Sequence, residues 1–145
     1  MRRQWLIATL SLAGALVTGA VSAAAADEPV KVVYHLSDGS AQAARALANI
    51  RNHLRAAPDT RIVVVALADG IKLLLKDATD PSGTRFEPAV VALAQQGVQF
   101  RICGNTMAAY GIAPTDVIAT AIVVPSGVAE VARLQAREGY AYLRP

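Results

Sequence analysis

The segment "RICGNTM", residues 101–107, holds the chain's single cysteine among residue types that can activate a thiol. Cys103 closes a short apolar run, and Asn105 and Thr106 are residue types that cap helices. A sulfur at a helix N-terminus meets free backbone N–H groups and the positive end of the helix dipole, which lower a cysteine pKa from about 8.5 to roughly 3.5–7.5. The Thr106 hydroxyl could also donate to the sulfur. These residues predict a nucleophilic thiol, and the alternative is a small buried residue that only fills space.

Two other loops that follow apolar runs carry polar groups, "HLSDGS" at residues 35–40 and "ADG" at residues 68–70. Ligand sites in parallel sheets form beyond the carboxyl ends of the strands. If the strands are neighbours, His35, Asp38 and Asp69 face one crevice with Cys103. His35 is then a candidate base or proton donor, and its alternative is a hydrogen-bonded structural residue. Asp38 and Asp69 either line the crevice or cap the helices that follow them.

The residues around Cys103 exclude several chemistries. A dithiol oxidoreductase needs a second cysteine, and Thr106 stands where that residue would be. A cysteine phosphatase loop needs an arginine six residues after the cysteine, and Ala109 occupies that position. Neither a dinucleotide fingerprint nor a phosphate-binding loop is present, so no cofactor is expected. A copper site from Cys103, Met107 and His35 remains an alternative, because copper favours such soft ligands.

Apolar runs of strand length alternate with helical patterns along most of the chain. Strands are predicted within residues 30–39, 61–70, 98–103, 120–125 and 140–144. Helices are predicted at residues 40–57, 71–78, 86–97, 106–110 and 126–138, with a flexible connection at 77–84. This alternation predicts an α/β fold with an open, mainly parallel sheet of about five strands and helices on both faces.

Residues 1–26 have the pattern of a cleaved export signal. Arg2 and Arg3 precede an apolar run at residues 5–21, and small residues follow at 22–26. An uncleaved membrane anchor is the alternative. Both the general secretory and the twin-arginine routes fit the arginine pair, and either would deliver the protein to the periplasm. Cleavage would leave residues 27–145 as a single domain with no membrane attachment.

The charge of the chain depends partly on this predicted signal. The full chain has 14 basic and 11 acidic residues, for a net charge of +3. Removing Arg2 and Arg3 lowers the net charge to +1, which argues against a nucleic-acid surface. A single cysteine cannot form an internal disulfide, so we expect the fold to depend on its hydrophobic core.

Four segments of the sequence resemble the DsrE/DsrF-like sulfur-relay family, specifically its small single-domain branch that carries a signal peptide. They are "VVYHLSDG", "GIKLLLKD", "ALAQQGVQFRICGNTM" and "GVAEVARLQAREGYAYLRP". The resemblance implies a three-layer α/β/α sandwich that assembles into trimers or hexamers. It also implies that Cys103 accepts sulfur as a persulfide and passes it between thiols. The predicted export departs from the pattern, because the well-characterised relays work in the cytoplasm.

The leading prediction is a periplasmic sulfur carrier or thiol-based sulfurtransferase that acts through Cys103. Asn105 and Thr106 would stabilise its thiolate, and His35 would assist proton transfer. Its expected partners are a thiol or sulfur donor, either a small molecule or a protein, and further copies of the chain. The competing prediction is a non-catalytic binding or assembly module in which Cys103 is only packed.

Overall fold

A computed structural model describes residues 28–145, so the predicted export signal at 1–26 lies outside the described residues. Five strands and four α-helices alternate in this part of the chain. They are β1 Lys31–Leu36, α1 Ser40–Ala56, β2 Arg61–Ala66, α2 Glu87–Gln95, β3 Gln99–Cys103, α3 Gly104–Tyr110, β4 Ala121–Val124, α4 Gly127–Glu138 and β5 Ala141–Leu143. Two 3-10 helices, Ala68–Leu74 and Pro114–Asp116, complete the described chain. None of the helices within residues 28–145 is both long and apolar enough to cross a membrane.

The five strands form one parallel sheet in the order β4-β3-β2-β1-β5. The sequence-based prediction of a parallel sheet of about five strands is therefore confirmed. The three central strands consist largely of β-branched and aromatic residues, as expected for strands that are buried on both faces. Every strand ends at the same edge of the sheet, so the loops that follow β1, β2 and β3 share that edge.

Helices cover the two faces of the sheet unequally. A large core joins one face to α1, α2 and the first 3-10 helix, with Ile50, Leu74 and Phe100 fully buried. A smaller core joins the other face to α4, where Val65 and Leu134 are fully buried. The layers are thus helix, sheet and helix, and the first turn of α4 lies at the edge of the sheet where the strands end.

Residues 68–74, where a loop at 68–70 and the start of a helix at 71–78 were predicted, form a 3-10 helix. Its Gly70 lies directly on the end of β1, because a Cβ atom at this position would be 2.3 Å from the Leu36 carbonyl oxygen. The tighter 3-10 winding accompanies this close approach and buries Ile71 and Leu74. The helix therefore begins three residues before its predicted start, ends at Leu74 and is of a different type.

The connection at residues 77–84, predicted to be flexible, is a structured turn. Thr79 and Arg85 form an antiparallel bridge across it. One Asp80 carboxylate oxygen accepts hydrogen bonds from the backbone N–H groups of Ser82 and Thr84, at 2.8 and 2.9 Å. These bonds lower the pKa of Asp80, with the Ser82 hydroxyl making the largest contribution. The sequence showed the turn residues but not the bridge that closes them.

The α4 helix is tied to the sheet by a network of charged side chains. Glu130 pairs with Arg101 of β3 and with Arg133 one turn further along α4. The hydrogen bond from Arg133 and the positive charge of Arg101 hold the Glu130 pKa below its usual range, despite the opposing effect of burial. At its ends, α4 has Ser126 as its N-cap, which was predicted as its first residue, and a left-handed Gly139.

Candidate functional site

Cys103 lies at the junction of a strand and a helix with no residue in between. It is the last residue of β3, paired with Val124 of β4, and it is also the N-cap residue of α3. The prediction that Asn105 or Thr106 would be the N-cap was therefore wrong, because α3 begins at Gly104. Strand alternation places Phe100 and Ile102 in the large core and turns the Cys103 side chain to the face that α4 covers.

Two glycines allow neighbouring backbone to close around Cys103. A Cβ atom on Gly127, the first residue of α4, would lie 3.1 Å from the Cys103 Cβ and 2.9 Å from a methyl group of Leu67. A Cβ atom on Gly104 would lie 3.1 Å from the Val124 carbonyl oxygen. The side chain of Cys103 is therefore buried, with 5% of its surface exposed. The sequence analysis did not identify Gly127, whose only signal is its position at the start of a helix.

Burial by itself raises the pKa of the Cys103 thiol, but the polar groups around the sulfur have the larger combined effect. The Thr106 hydroxyl and the backbone N–H groups of Gly127, Thr106 and Asn105 each favour the charged form of the sulfur. The net result is a pKa below the ordinary value for cysteine. A sulfur beside two helix N-termini is stabilised in its anionic form. The site can hold a thiolate in a mostly apolar setting.

Thr106 is held in position by the segment that follows β2. The backbone N–H of Ala68 donates to the Thr106 hydroxyl oxygen at 3.1 Å. Because that oxygen already accepts a bond, the hydroxyl proton is free to point at the Cys103 sulfur. Ala68 adopts a φ of 45°, a left-handed conformation that is uncommon for residues other than glycine. No feature of the sequence indicates this role for Ala68, since alanine has no polar side chain.

His35 lies on the same face of the sheet as Cys103 but is not in contact with it. In the strand register His35 is level with Val65 and Arg101, and Cys103 lies two residues further along β3. With β2 between them, the two side chains are separated by two strand spacings, roughly 10 Å. Instead, the Nδ1 atom of His35 is 2.7 Å from the hydroxyl oxygen of Tyr142. Direct proton exchange between His35 and Cys103 is therefore not possible in this geometry.

The Nε2 atom of His35 is buried and has no hydrogen-bond partner among residues 28–145. Burial lowers the pKa of His35, and the nearby positive charge of Arg144 lowers it further. Asp38 acts in the opposite direction with a smaller effect. His35 is consequently neutral near pH 7, with one nitrogen committed to Tyr142 and the other unpaired.

Neither predicted crevice aspartate caps a helix. Asp38 binds Arg144 through both carboxylate oxygens, at 2.9 and 3.1 Å, and this hydrogen bonding lowers the Asp38 pKa. Instead, the Asp38 backbone N–H donates a hydrogen bond to the side-chain oxygen of Gln42 at 2.8 Å. Asp69 lies near Lys72, at 3.7 Å, and near the Tyr110 hydroxyl, at 3.5 Å. Asp38 thus belongs to the His35 end of the crevice, and Asp69 to the Cys103 end.

The residues of the copper alternative are dispersed in this fold. Met107 packs into the large core, on the face of the sheet opposite to the Cys103 side chain. Within residues 28–145, no three His, Cys, Asp or Glu side chains are grouped as metal ligands would be. The described part of the chain therefore does not bring together the Cys103, Met107 and His35 set that the sequence suggested.

Fold and site together define a class, a parallel α/β/α protein with one thiol at the junction of a strand and a helix. The profile of the DsrE/DsrF-like family matches residues 20–145, and the chain belongs to this family, which is linked to sulfur relay. The expected three-layer fold is confirmed, and the signal-bearing branch stays a prediction. Among curated proteins, none gives a significant match to this sequence.

Two solved structures are similar to this chain. A protein of unknown function from Methanobacterium thermoautotrophicum, MTH1491, is 34% identical with a TM-score of 0.71, covering 80% of this chain and 99% of its own. The ychN protein from E. coli is 14% identical with a TM-score of 0.64, covering 81% of this chain and 99% of its own. The second similarity concerns the fold alone. Neither protein's name identifies a substrate.

Proposed function

We propose that this protein is a sulfur carrier or thiol-based sulfurtransferase in which Cys103 holds a persulfide. The observation that carries the proposal is the position of Cys103 at the start of α3 and against the first residue of α4, where the Thr106 hydroxyl and nearby backbone N–H groups lower its pKa although the side chain is buried. A structural cysteine needs no such donors, and a buried thiol without them would have a raised pKa. Membership of a family linked to sulfur relay supports the same chemistry.

The proposed step is a displacement at sulfur. The Cys103 thiolate attacks the outer sulfur of a polysulfide or of thiosulfate and forms a new S–S bond. The S–S bond of the donor breaks, and its electron pair leaves with the shortened polysulfide or with sulfite. No oxidant is consumed, and no proton has to move once the Cys103 thiol is ionised, which its lowered pKa favours. The negative charge then lies on the outer sulfur of the persulfide, one bond further from the groups that lower the thiol pKa.

His35 has an indirect part in this proposal. Since about 10 Å separates the two strands that carry the side chains, His35 would act on a proton of a bound thiol or water and not on Cys103 itself. Its lowered pKa keeps it neutral and able to accept a proton near pH 7. An acceptor thiol could reach His35 only when the pair with Tyr142 opens, because Nδ1 is bonded to the Tyr142 hydroxyl and Nε2 is buried.

Intact-protein mass spectrometry tests the central claim. After treatment with polysulfide or thiosulfate, the folded protein should gain the mass of one or more sulfur atoms and lose it on addition of a reductant. The Cys103→Ser variant, which is close in size, should gain nothing. A wild-type protein that stays unmodified while circular dichroism shows it folded would contradict the proposal.

A second candidate function is a binding or assembly module with an inert thiol, and the 5% exposure of Cys103 favours it. The two functions differ in the rate of alkylation near pH 6, where a thiol of ordinary pKa is almost fully protonated. An activated thiol reacts with a small reagent such as iodoacetamide in the native state. A packed and protonated thiol reacts only when the protein unfolds.

We also propose that the protein acts in the periplasm as a homo-oligomer, and apolar side chains on the sheet edge support the assembly. Ile122 and Val123 of β4 and Val128 of α4 are 52%, 51% and 68% exposed. Exposed apolar residues on an edge strand favour pairing with another chain. The Ile122→Lys variant should therefore sediment as a smaller species than wild type, and Val30→Lys, at the other side of the sheet, should not. Equal sedimentation of all three would contradict assembly through β4.

A further inference from the structure

The edge of the sheet opposite β4 is formed by a short and exposed strand. β5 has three residues, pairs only with β1 and lies entirely at the surface. Tyr142 and Leu143 are 42% and 41% exposed. Backbone pairing over three residues with little apolar burial contributes little stability, so other contacts have to hold this segment in place.

Side chains from the β1 end of the crevice supply these contacts. Each of them joins residues 142–145 to β1, to the loop that follows it or to the first turn of α1. They are the His35 Nδ1 to Tyr142 hydroxyl pair at 2.7 Å, the Asp38–Arg144 ion pair at 2.9 Å, and the Gln42 side-chain amide donating to the Pro145 carbonyl at 3.4 Å. Gln42 is itself fixed, because its amide oxygen accepts bonds from the Ser37 and Asp38 backbone.

Protonation of His35 would disturb this arrangement. The Nε2 atom is buried without a partner among residues 28–145, so a proton on it would create a poorly solvated charge. The charged and titratable groups that face His35 are Tyr142 and Arg144 of the β5 segment and Asp38 of the β1 loop. Arg144 repels an imidazolium, and Asp38 compensates only in part because it is already paired with Arg144. When Nδ1 donates to the Tyr142 hydroxyl oxygen, the proton that the ring takes up has to go to Nε2, which has no partner among residues 28–145.

We propose that residues 141–145 form a latch on the crevice that opens when His35 takes up a proton. Opening would release the backbone groups along the β1 edge and uncover the His35 side chain at the carboxyl end of the sheet. The direction of the pH effect follows from thermodynamic linkage. Because His35 is harder to protonate in the closed state, the equilibrium shifts toward the open state as pH falls. The closed state is therefore favoured fully above about pH 6.5, the ordinary pKa of histidine, and progressively less below it.

Hydrogen exchange of the β5 amides tests the latch. After correction for the intrinsic pH dependence of exchange, the protection of residues 141–143 in wild type should fall roughly tenfold between about pH 7.5 and about pH 5. In the His35→Leu and His35→Gln variants the corrected protection should be the same at both pH values. Amides in β2, at the centre of the sheet, report whether each variant is folded.

Two further variants separate the latch from neighbouring effects. Asp38→Asn removes the ion pair with Arg144 and should lower β5 protection at both pH values while keeping the pH dependence. Cys103→Ser should behave as wild type, because the latch does not depend on the thiol or on the proposed sulfur chemistry. A corrected protection that is independent of pH in wild type, or that falls equally in His35→Leu, would overturn the proposal.

Discussion

Replacing Gly70 with alanine is expected to lower the free energy of unfolding by about 3 kcal/mol or more, at the upper end of the cost of overpacking. The added Cβ would lie 2.3 Å from the Leu36 carbonyl oxygen, 2.4 Å from its carbon and 2.8 Å from the Ser37 nitrogen. All three are backbone atoms at the end of β1, so no side-chain rotation can relieve the clash. The 3-10 helix has to move away from the strand. Chemical denaturation of wild type and variant measures the loss.

Gly39→Ala is the matched control for this substitution. Gly39 lies at the start of α1, in a loop at the same edge of the sheet, and a Cβ atom there would meet nothing within 4 Å. Its φ of −66° is accessible to alanine, so we expect a change of less than about 1 kcal/mol. If the two variants were equally stable, the close contact between Gly70 and β1 would be contradicted.

Replacing Thr106 with valine is expected to raise the Cys103 pKa and to slow alkylation near pH 6 by roughly tenfold, the effect of losing one hydrogen bond to a charged group. Valine has nearly the shape of threonine but cannot donate to the sulfur. It also leaves the Ala68 N–H without its acceptor at 3.1 Å, so a modest loss of stability should accompany the change. The pH dependence of iodoacetamide labelling measures the shift directly.

Thr106→Ser separates the hydroxyl from the methyl group. Serine keeps the acceptor for Ala68 and the donor for Cys103, so its labelling profile should stay close to that of wild type. The midpoints of the wild-type and serine profiles should lie below that of Thr106→Val. If valine and serine shifted the profile equally, the hydroxyl would not be the group that stabilises the thiolate.

The sheet was predictable from local pattern, because the β-branched run at residues 61–66 and the alternating apolar residues at 98–103 are typical of strands. The placement of Cys103 at the carboxyl end of β3 followed from the same pattern. The 3-10 type of the helix at 68–74 could not be predicted, because it depends on the contact between Gly70 and Leu36, which are 34 positions apart in the sequence. A tertiary contact of this kind leaves no periodic signal.

The sequence identified Cys103 and Thr106 at the centre of the candidate site, but it did not identify Ala68 and Gly127, which surround them. Thr106 was identified because its hydroxyl is close to Cys103 in the chain. Ala68 and Gly127 contribute through their backbone N–H groups. Since almost every residue has a backbone N–H, the residue type does not reveal which of these groups takes part in a site. His35 was expected to share the crevice with Cys103. Instead, β2 lies between the two side chains, and the His35 ring is hydrogen-bonded to the Tyr142 hydroxyl.

The absence of any spacer between β3 and α3 has a consequence for the temperature dependence of the thiol. Rotating the main chain at Cys103 would unpair it from Val124 or unwind the first turn of α3. The donors around the sulfur are consequently arranged during folding. When a reactant arrives, these groups do not have to be ordered again, so the reaction loses little entropy on the way to its transition state. We therefore expect the lowered pKa of Cys103 to be retained on heating up to the unfolding transition and to be lost there, because it depends on the native arrangement of these groups.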